Sequence, residues 1–249
     1  MDGMTTKEST MAEITYRSDM RVLLADHMGD DITVCTTARV EDPGVLATRF
    51  TTLRLEDRDK GLLRMLMRDR HGTPWEAVVF RFYIEAPIFV AREALRHRIA
   101  SVNETSARYR ELEPVFYAPE PGRNLVQTGK PGAYRFEGGT TGQRLLVDDM
   151  VRTQSASAYQ AYQMMLTSGV AREVARTVLP VNIYTSWYVT INLRSLLNFL
   201  SLRRSLPNSA APTFPQREIE MVAEQMEALA ERVVPESLRL FNEYGRVAP

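Results

Sequence analysis

This sequence is short of cysteine, of net charge and of long hydrophobic runs, and each shortage excludes something. Cys35 is the single cysteine among 249 residues, so no disulfide can close within one chain and no cysteine cage can hold a metal there. No metal site is expected. The 31 basic and 31 acidic side chains cancel, which removes any global pull toward nucleic acid or an anionic membrane. No stretch approaches the roughly 20 apolar residues of a membrane span. Met1 to Arg17 is polar and lacks the apolar run of a signal peptide. The expectation is a cytoplasmic chain with neither nucleic acid nor membrane as partner. A phosphate-cradling glycine loop is also missing: Gly138, Gly139 and Gly142 fall in a turn-rich stretch and read as loop flexibility.

What is present is an ordinary globular composition, 44% hydrophobic and 25% charged, long enough to bury a real core. Residues 1–15 read as a loose tail and 16–249 as one domain. Met20 to Ala25 suggests a strand, Gly29-Asp30-Asp31 a turn, and Asp31 the cap of a helix running through Ala38. Residues 41–55 look irregular around Pro43 and Gly44. Asp57 to Arg68 places Leu62, Leu63, Leu66 and Met67 at helical spacing. Val79 to Glu85 alternates with period two, as a strand does, and Pro87 opens a helix. Residues 118–142 read as a long surface excursion. Helices are expected over 143–168 and 171–179, then a strand over Tyr184–Ile191. Asn192 is placed to cap the helix of Leu196, Leu197, Phe199 and Leu200. A proline-rich loop covers 205–215, and a long helix kinked at Pro235 closes the chain. The pattern predicts an α/β (α+β) fold, one domain with a mixed or antiparallel sheet flanked by helices, its C-terminal half rich in helix.

The most unusual stretch is RHRIASVNETSARYR, from Arg96 to Arg110. Between Arg92 and Arg110 stand five arginines and one histidine against Glu93 and Glu104. An isolated triplet Arg96-His97-Arg98 would ordinarily be a solvated helix face with weak ion pairs. Its neighbours Ser101, Asn103, Thr105 and Ser106 argue otherwise, because such residues bond ligands or local backbone better than they extend a helix. Arginine forks match phosphate oxygens, so a phosphorylated small molecule is the natural guest. An RNA-binding module would want interleaved aromatics, and this segment has only Tyr109.

Arg96-His97-Arg98 followed after seven residues by Ser106 resembles the signature of the flavin-dependent thymidylate synthases. The likeness continues through Arg108 and Tyr109. PIFVAREALRHRIAS, GVAREVARTVLPVNIYT and NLRSLLNFLSLR are similar to segments of that family in the same order. The resemblance implies a homotetramer binding flavin and nucleotide where subunits meet. It assigns FAD contacts to Arg96, His97 and Arg98, helped by Thr73, Glu104, Asn192, Arg194 and Asn198. It assigns the nucleotide to residues 93–96, including Glu93 and Arg96, to Glu104, Thr105, Ser106, Ala107 and Arg108, and to Arg176 and Arg203. Arg203 would activate the uracil ring, and His71 would lie near flavin and folate. Methylenetetrahydrofolate would give the carbon and NADPH the electrons, with FAD between them.

Carbon 5 of uracil is a weak nucleophile. A thiolate added at C6 would activate it, but Cys35 sits in TVCTTA without a basic neighbour and reads as a small core residue. The flavin route needs arginines, an imidazole and hydroxyls instead, since the cofactor carries the difficult chemistry. Ser106 has no evident base and reads as a hydrogen-bonding group. Two departures stand out. Where the family usually continues with an acidic-Ser-His-Ala-Gln stretch, Arg204 to Gln216 is longer, proline-rich and free of histidine. Glu93 stands where the resemblance implies glutamine. A carboxylate could accept from a ribose 2′-hydroxyl, so the pattern is similar to the uridylate C5-methylases of peptidyl-nucleoside antibiotic pathways such as the polyoxins. Methylation of dUMP, of UMP or of both, C5-hydroxymethylation, and a non-catalytic flavin- and nucleotide-binding protein all remain open at this level.

Overall fold

The computed structural model describes residues 13–40, 54–130 and 133–249. The irregular stretch expected at 41–55 lies mostly outside these. By contact density the chain divides into two compact units, and each is described by itself.

The larger unit (Asp19–Thr105, Gln127–Arg135 and Thr185–Pro249) is built on a four-stranded sheet. Its strands are β2 (Arg21–Met28), β3 (Val79–Pro87), β4 (Ser101–Glu104) and β8 (Tyr184–Asn192), in the order β2-β3-β8-β4. Period-two alternation explains β3: Phe80, Phe82 and Ile84 are fully buried on one face while Arg81 is exposed on the other. Each such side chain contributes about 1.5–3 kcal/mol on leaving water. β2 pairs antiparallel with β3 and carries an irregularity between Leu24 and Asp26, and β4 pairs antiparallel with β8.

Around the sheet lie α1 (Asp31–Ala38), α2 (Asp57–Arg68), α3 (Ile88–Ala94), α6 (Leu193–Arg203), α7 (Arg217–Glu231) and α8 (Pro235–Glu243). In α7, Ile219, Val222, Ala223, Met226 and Ala230 are buried, the one-sided stripe of an amphipathic helix. Gln225 on the same helix accepts from Val22 N of β2 and donates to Met20 O just before that strand. The cap of α1 is Asp30, whose Oδ1 accepts from Thr33 N at 2.9 Å. Asp31, expected as the cap, is instead buried, and its carboxylate accepts from the backbone of Glu236 and Ser237 at the start of α8. It therefore caps a helix some 200 residues away in sequence, a pairing that local pattern cannot reveal. Pro235 breaks the closing helix into two outright, standing in the first turn of the second.

The smaller unit (Met1–Ser18, Ser106–Val126 and Phe136–Tyr184) pairs β1 (Thr15–Arg17) in parallel with β5 (Val115–Tyr117). The long α4 (Thr141–Thr167) packs on them, Tyr159 against Phe116, and the single turn α5 (Arg172–Ala175) and a 3-10 turn over Arg176–Val178 pack on α4. Tyr159, Tyr162, Phe116 and Ile183 form its core. Leu112 is held from both sides, donating to the Tyr162 hydroxyl and accepting from Tyr159. The expected surface excursion contains a strand pair, β6 (Val126–Lys130) and β7 (Ala133–Glu137). Short exposed strands of this kind have no buried face to print a period on the sequence. Exposed β4 leaves no period for the same reason, while β1 and β5, three residues each, are too short to show one. No helix among the described residues is long and apolar enough to cross a membrane.

Candidate active site

The triplet Arg96-His97-Arg98 follows α3 as a turn. Leu95 N closes the helix on Ala91 O, and the next two amides turn back to Glu93 O and Ala94 O at 3.3 and 3.1 Å. That tight exit throws Arg96 and Arg98 outward into solvent. It swings His97 inward, where its ring meets Phe199 of α6 edge-on at 4.8 Å.

Arg203, at the end of α6, reaches both neighbours. Its Nη1 pairs with Glu93 Oε2 at 2.6 Å, with the side chains only 20% and 32% exposed. Its Nε donates to His97 Nε2 at 3.1 Å. An arginine Nε always carries its hydrogen, so His97 Nε2 must be a bare acceptor and the ring proton sits on Nδ1. Burial, helped by the Arg203 charge, pushes the imidazole down from 6.5 to about 4. His97 is thus a neutral ring presenting an N–H, beside a guanidinium partly shielded from water. An apolar cleft lined by Ala94, Leu95, Val102, Trp187 and Phe199 opens on the same histidine.

A second cluster forms at the start of α6. Asn192 caps it, its Oδ1 accepting from Ser195 N at 2.8 Å as the sequence suggested. Arg194 pairs through Nη1 with Glu76 at 2.6 Å and donates through Nε to Pro249 O at 2.7 Å. Gly72 lies against that guanidinium so closely that a Cβ there would stand 2.4 Å from it. The bend from His71 to Thr73, both exposed, therefore packs onto Arg194 because residue 72 has no side chain. The bend is a helix exit: His71 N bonds Leu66 O at 2.9 Å, and Arg70 takes a φ of +58°. Asn198 is exposed one turn along, its Nδ2 resting 3.3 Å from Arg194 O.

The β4–β8 ladder places the acidic member. Glu104 stands opposite Trp187 and accepts from Thr185 Oγ1 at 2.8 Å. Thr105 is held by Ser186, backbone and side chain both at 2.8 Å.

The remaining assigned residues belong to the smaller unit. Ser106 Oγ accepts from Arg108 N at 3.3 Å, a local turn contact, and no base bonds it among the described residues. Ala107 is buried, Arg108 pairs with Glu173 at 3.1 Å on the surface, and Arg176 is exposed in the 3-10 turn.

Of the residues singled out in the sequence, the structure brings Glu93, His97 and Arg203 into mutual contact and places Arg194 in a second cluster. They omit Glu76 and Phe199, which meet the site only through the fold. Phe199 carried a signal only as an apolar position on α6, and Glu76 carried none.

Arg203, half-buried, is thus shared by a carboxylate and a neutral imidazole, and no nucleophile–base pair stands beside it among the described residues. Comparison with known proteins identifies the family. The family model described as thymidylate synthase complementing protein matches residues 23–236. The flavin-dependent thymidylate synthase of Streptomyces avermitilis is 50% identical over 237 residues, covering 94% of this chain and 96% of that protein. The corresponding protein of Tropheryma whipplei strain TW08/27 is 49% identical over 234 residues, covering 94% and 97%. A crystal structure of the UMP/dUMP methylase PolB from Streptomyces cacaoi bound with 5-Br UMP superposes with a TM-score of 0.87 at 44% identity, over 95% of this chain and 99% of that one. The same protein bound with 5-Br dUMP gives 0.87 at 45% identity. This chain belongs to the flavin-dependent thymidylate synthase family.

Proposed function

We propose that this chain methylates C5 of a uridine monophosphate, dUMP, UMP or both, with FAD as cofactor, methylenetetrahydrofolate as carbon donor and NADPH as reductant. The observation that supports it most is the half-buried contact of Arg203 with Glu93 and His97, in a chain whose relatives are named for thymidylate synthesis and UMP/dUMP methylation.

The donor set suits a phosphate-bearing flavin. Arg96 and Arg98 are exposed, Thr73 and Asn198 present polar atoms to solvent, and Arg194 lies in a cradle that a Cβ at residue 72 would fill. When bound, FAD supplies the hydride chemistry that no side chain can. The chain's own part is binding and polarisation. Arg96, Arg98, Arg194, Thr73, Asn192 and Asn198 would hold the cofactor, with Glu104 as an acceptor. His97, with its proton on Nδ1, can donate one hydrogen bond without carrying charge. Arg108, Arg176 and the backbone from Glu104 to Ala107 would hold the nucleotide phosphate and sugar. Arg203 would leave Glu93 and stabilise negative charge on the uracil carbonyl, raising electron density at C5. Ser106 would donate to the nucleotide, and His71 would face flavin and folate. The exposed Leu145, Leu146, Met150 and Met164 on α4 fit burial in a homotetramer.

Mass spectrometry of nucleotide products tests this, with FAD, NADPH and methylenetetrahydrofolate supplied and dUMP and UMP offered in parallel. A gained methyl group on either supports the reading. A gained hydroxymethyl group moves it to hydroxymethylation, and no product from a yellow, FAD-loaded protein would refute the methylase reading.

A further inference from the structure

Helix α6 carries three of the assigned side chains, Arg194 and Asn198 for flavin and Arg203 for the nucleotide, and the same short segment anchors both its ends. At the first end, Pro249 O accepts from Arg194 Nε at 2.7 Å, opposite the Glu76 contact on Nη1 at 2.6 Å. At the far end, Arg204 is the residue just past the helix, and it pairs with Glu227 of α7 at 2.6 Å. Glu227 is also gripped by both terminal nitrogens of Arg246, Nη1 on Oε1 and Nη2 on Oε2, each at 2.8 Å, so the two arginines share Oε2. Arg246 is 2% exposed and adopts a φ of +58°, an unfavourable backbone for arginine. Strain at a buried, fully charged residue persists only where the surroundings over-determine it. Burial pushes the Glu227 carboxyl up, yet the hydrogen bonds and charges of Arg246 and Arg204 outweigh that and hold it below the usual carboxylate range.

The divergent loop that follows Arg203 is tied to the same place. Ala210 N donates to Gly245 O at 2.8 Å, and Asn208 Nδ2 donates to Asn242 O at 3.0 Å. Gly245 has a φ of +72°, and a Cβ there would stand 3.0 Å from that of Ala210. The loop is therefore seated on the end of the last helix and on the residue pair just past it.

We propose that residues 242–249 are a clamp that positions the active-site helix at both ends: Pro249 orients Arg194 for the cofactor, and Arg246 acts through Glu227 on Arg204 to orient Arg203 for the nucleotide. Arg204, Glu227, Arg246 and Pro249 are positioning residues. The catalytic consequence rests on the proposed function, but the mechanical one does not.

The two ends predict separable effects. Deleting Val247–Pro249 frees Arg194 and weakens FAD binding about tenfold, the scale of one hydrogen bond to a charged group, with little change in nucleotide KM at saturating FAD. Glu227→Gln loosens the other end: FAD binding is kept, while kcat falls about tenfold. If that variant folds poorly, Arg246→Lys is the second probe, and it should recover part of the lost kcat relative to Arg246→Met. Amide hydrogen exchange, read without any ligand, should quicken near Arg194–Leu197 in the deletion and near Leu200–Arg204 in Glu227→Gln. Unchanged exchange at both ends would overturn the clamp. So would a uniform loss of melting temperature, FAD affinity and kcat in both variants, since that is what ordinary destabilisation gives. Should the parent protein bind no FAD while the exchange pattern holds, the clamp stands and the functional reading fails.

Discussion

Replacing Glu93 with glutamine keeps the shape of the side chain and removes its charge, which isolates what that charge does to Arg203. At an effective dielectric near 20, opposite charges about 4 Å apart attract by about 4 kcal/mol before desolvation and ordering are counted. A pair as open as Glu93–Arg203, 32% and 20% exposed, retains a net of about 1 kcal/mol after those costs. In the proposed reaction Arg203 has to leave this pair to reach a uracil carbonyl, so in Glu93→Gln the nucleotide would no longer compete with it. Binding of dUMP should tighten about fivefold, the equivalent of that energy. For UMP a second effect opposes the first. Only Oε2 of Glu93 is engaged by Arg203, leaving Oε1 to accept from a ribose 2′-hydroxyl. Exchanging a carboxylate for an amide oxygen roughly halves such a bond, about 1 kcal/mol. The UMP-to-dUMP ratio of kcat/KM should therefore fall about fivefold in the variant. Competition between the two nucleotides in one tube, with products counted by mass, reads the ratio directly. An unchanged ratio would refute the role of Glu93 in reading the sugar, and a looser grip on dUMP would refute the competition for Arg203.

The other predictions concern the frame around that contact. With its pKa depressed to about 4, His97 should stay neutral in an NMR titration down to that region, while an unfolded histidine protonates near 6.5. Between those values the unfolded chain binds the extra proton, so stability should fall as pH drops from about 6.5 toward 4. Replacing His97 with glutamine should flatten that part of the profile. Gly72→Ala puts a Cβ 2.4 Å from the Arg194 guanidinium, so FAD affinity should drop about tenfold or more as the arginine is displaced. Retained affinity there would count against Arg194 as a flavin contact. Asn192→Ala removes the cap of α6 and should cost about 1 kcal/mol in chemical denaturation, whereas Asn192→Asp should recover most of it.

Much of this protein was decided by short-range chemistry that any reader of the chain can see. Period-two alternation in Val79–Glu85, helical spacing in Asp57–Arg68 and the capping asparagine before α6 each depend on neighbours a few residues apart. Those elements formed where expected. The run from Arg96 to Ser106 likewise announced the family, because residues so poor for a helix interior and so rich in donors need a reason to stand together. The tertiary structure decided everything that requires two distant segments to meet. Asp31 looked like the cap of its own helix and caps α8 instead. Glu93 looked like a group waiting for a sugar hydroxyl, and it already holds Arg203 from 110 positions away. Arg246 gave no sign that it would be buried against Glu227, nor residue 249 that it would rest on Arg194. Local propensity acts over one turn or one pleat. The partner of a buried charge is chosen by whichever groups the packed core leaves within reach, and that choice exists only once the chain has folded.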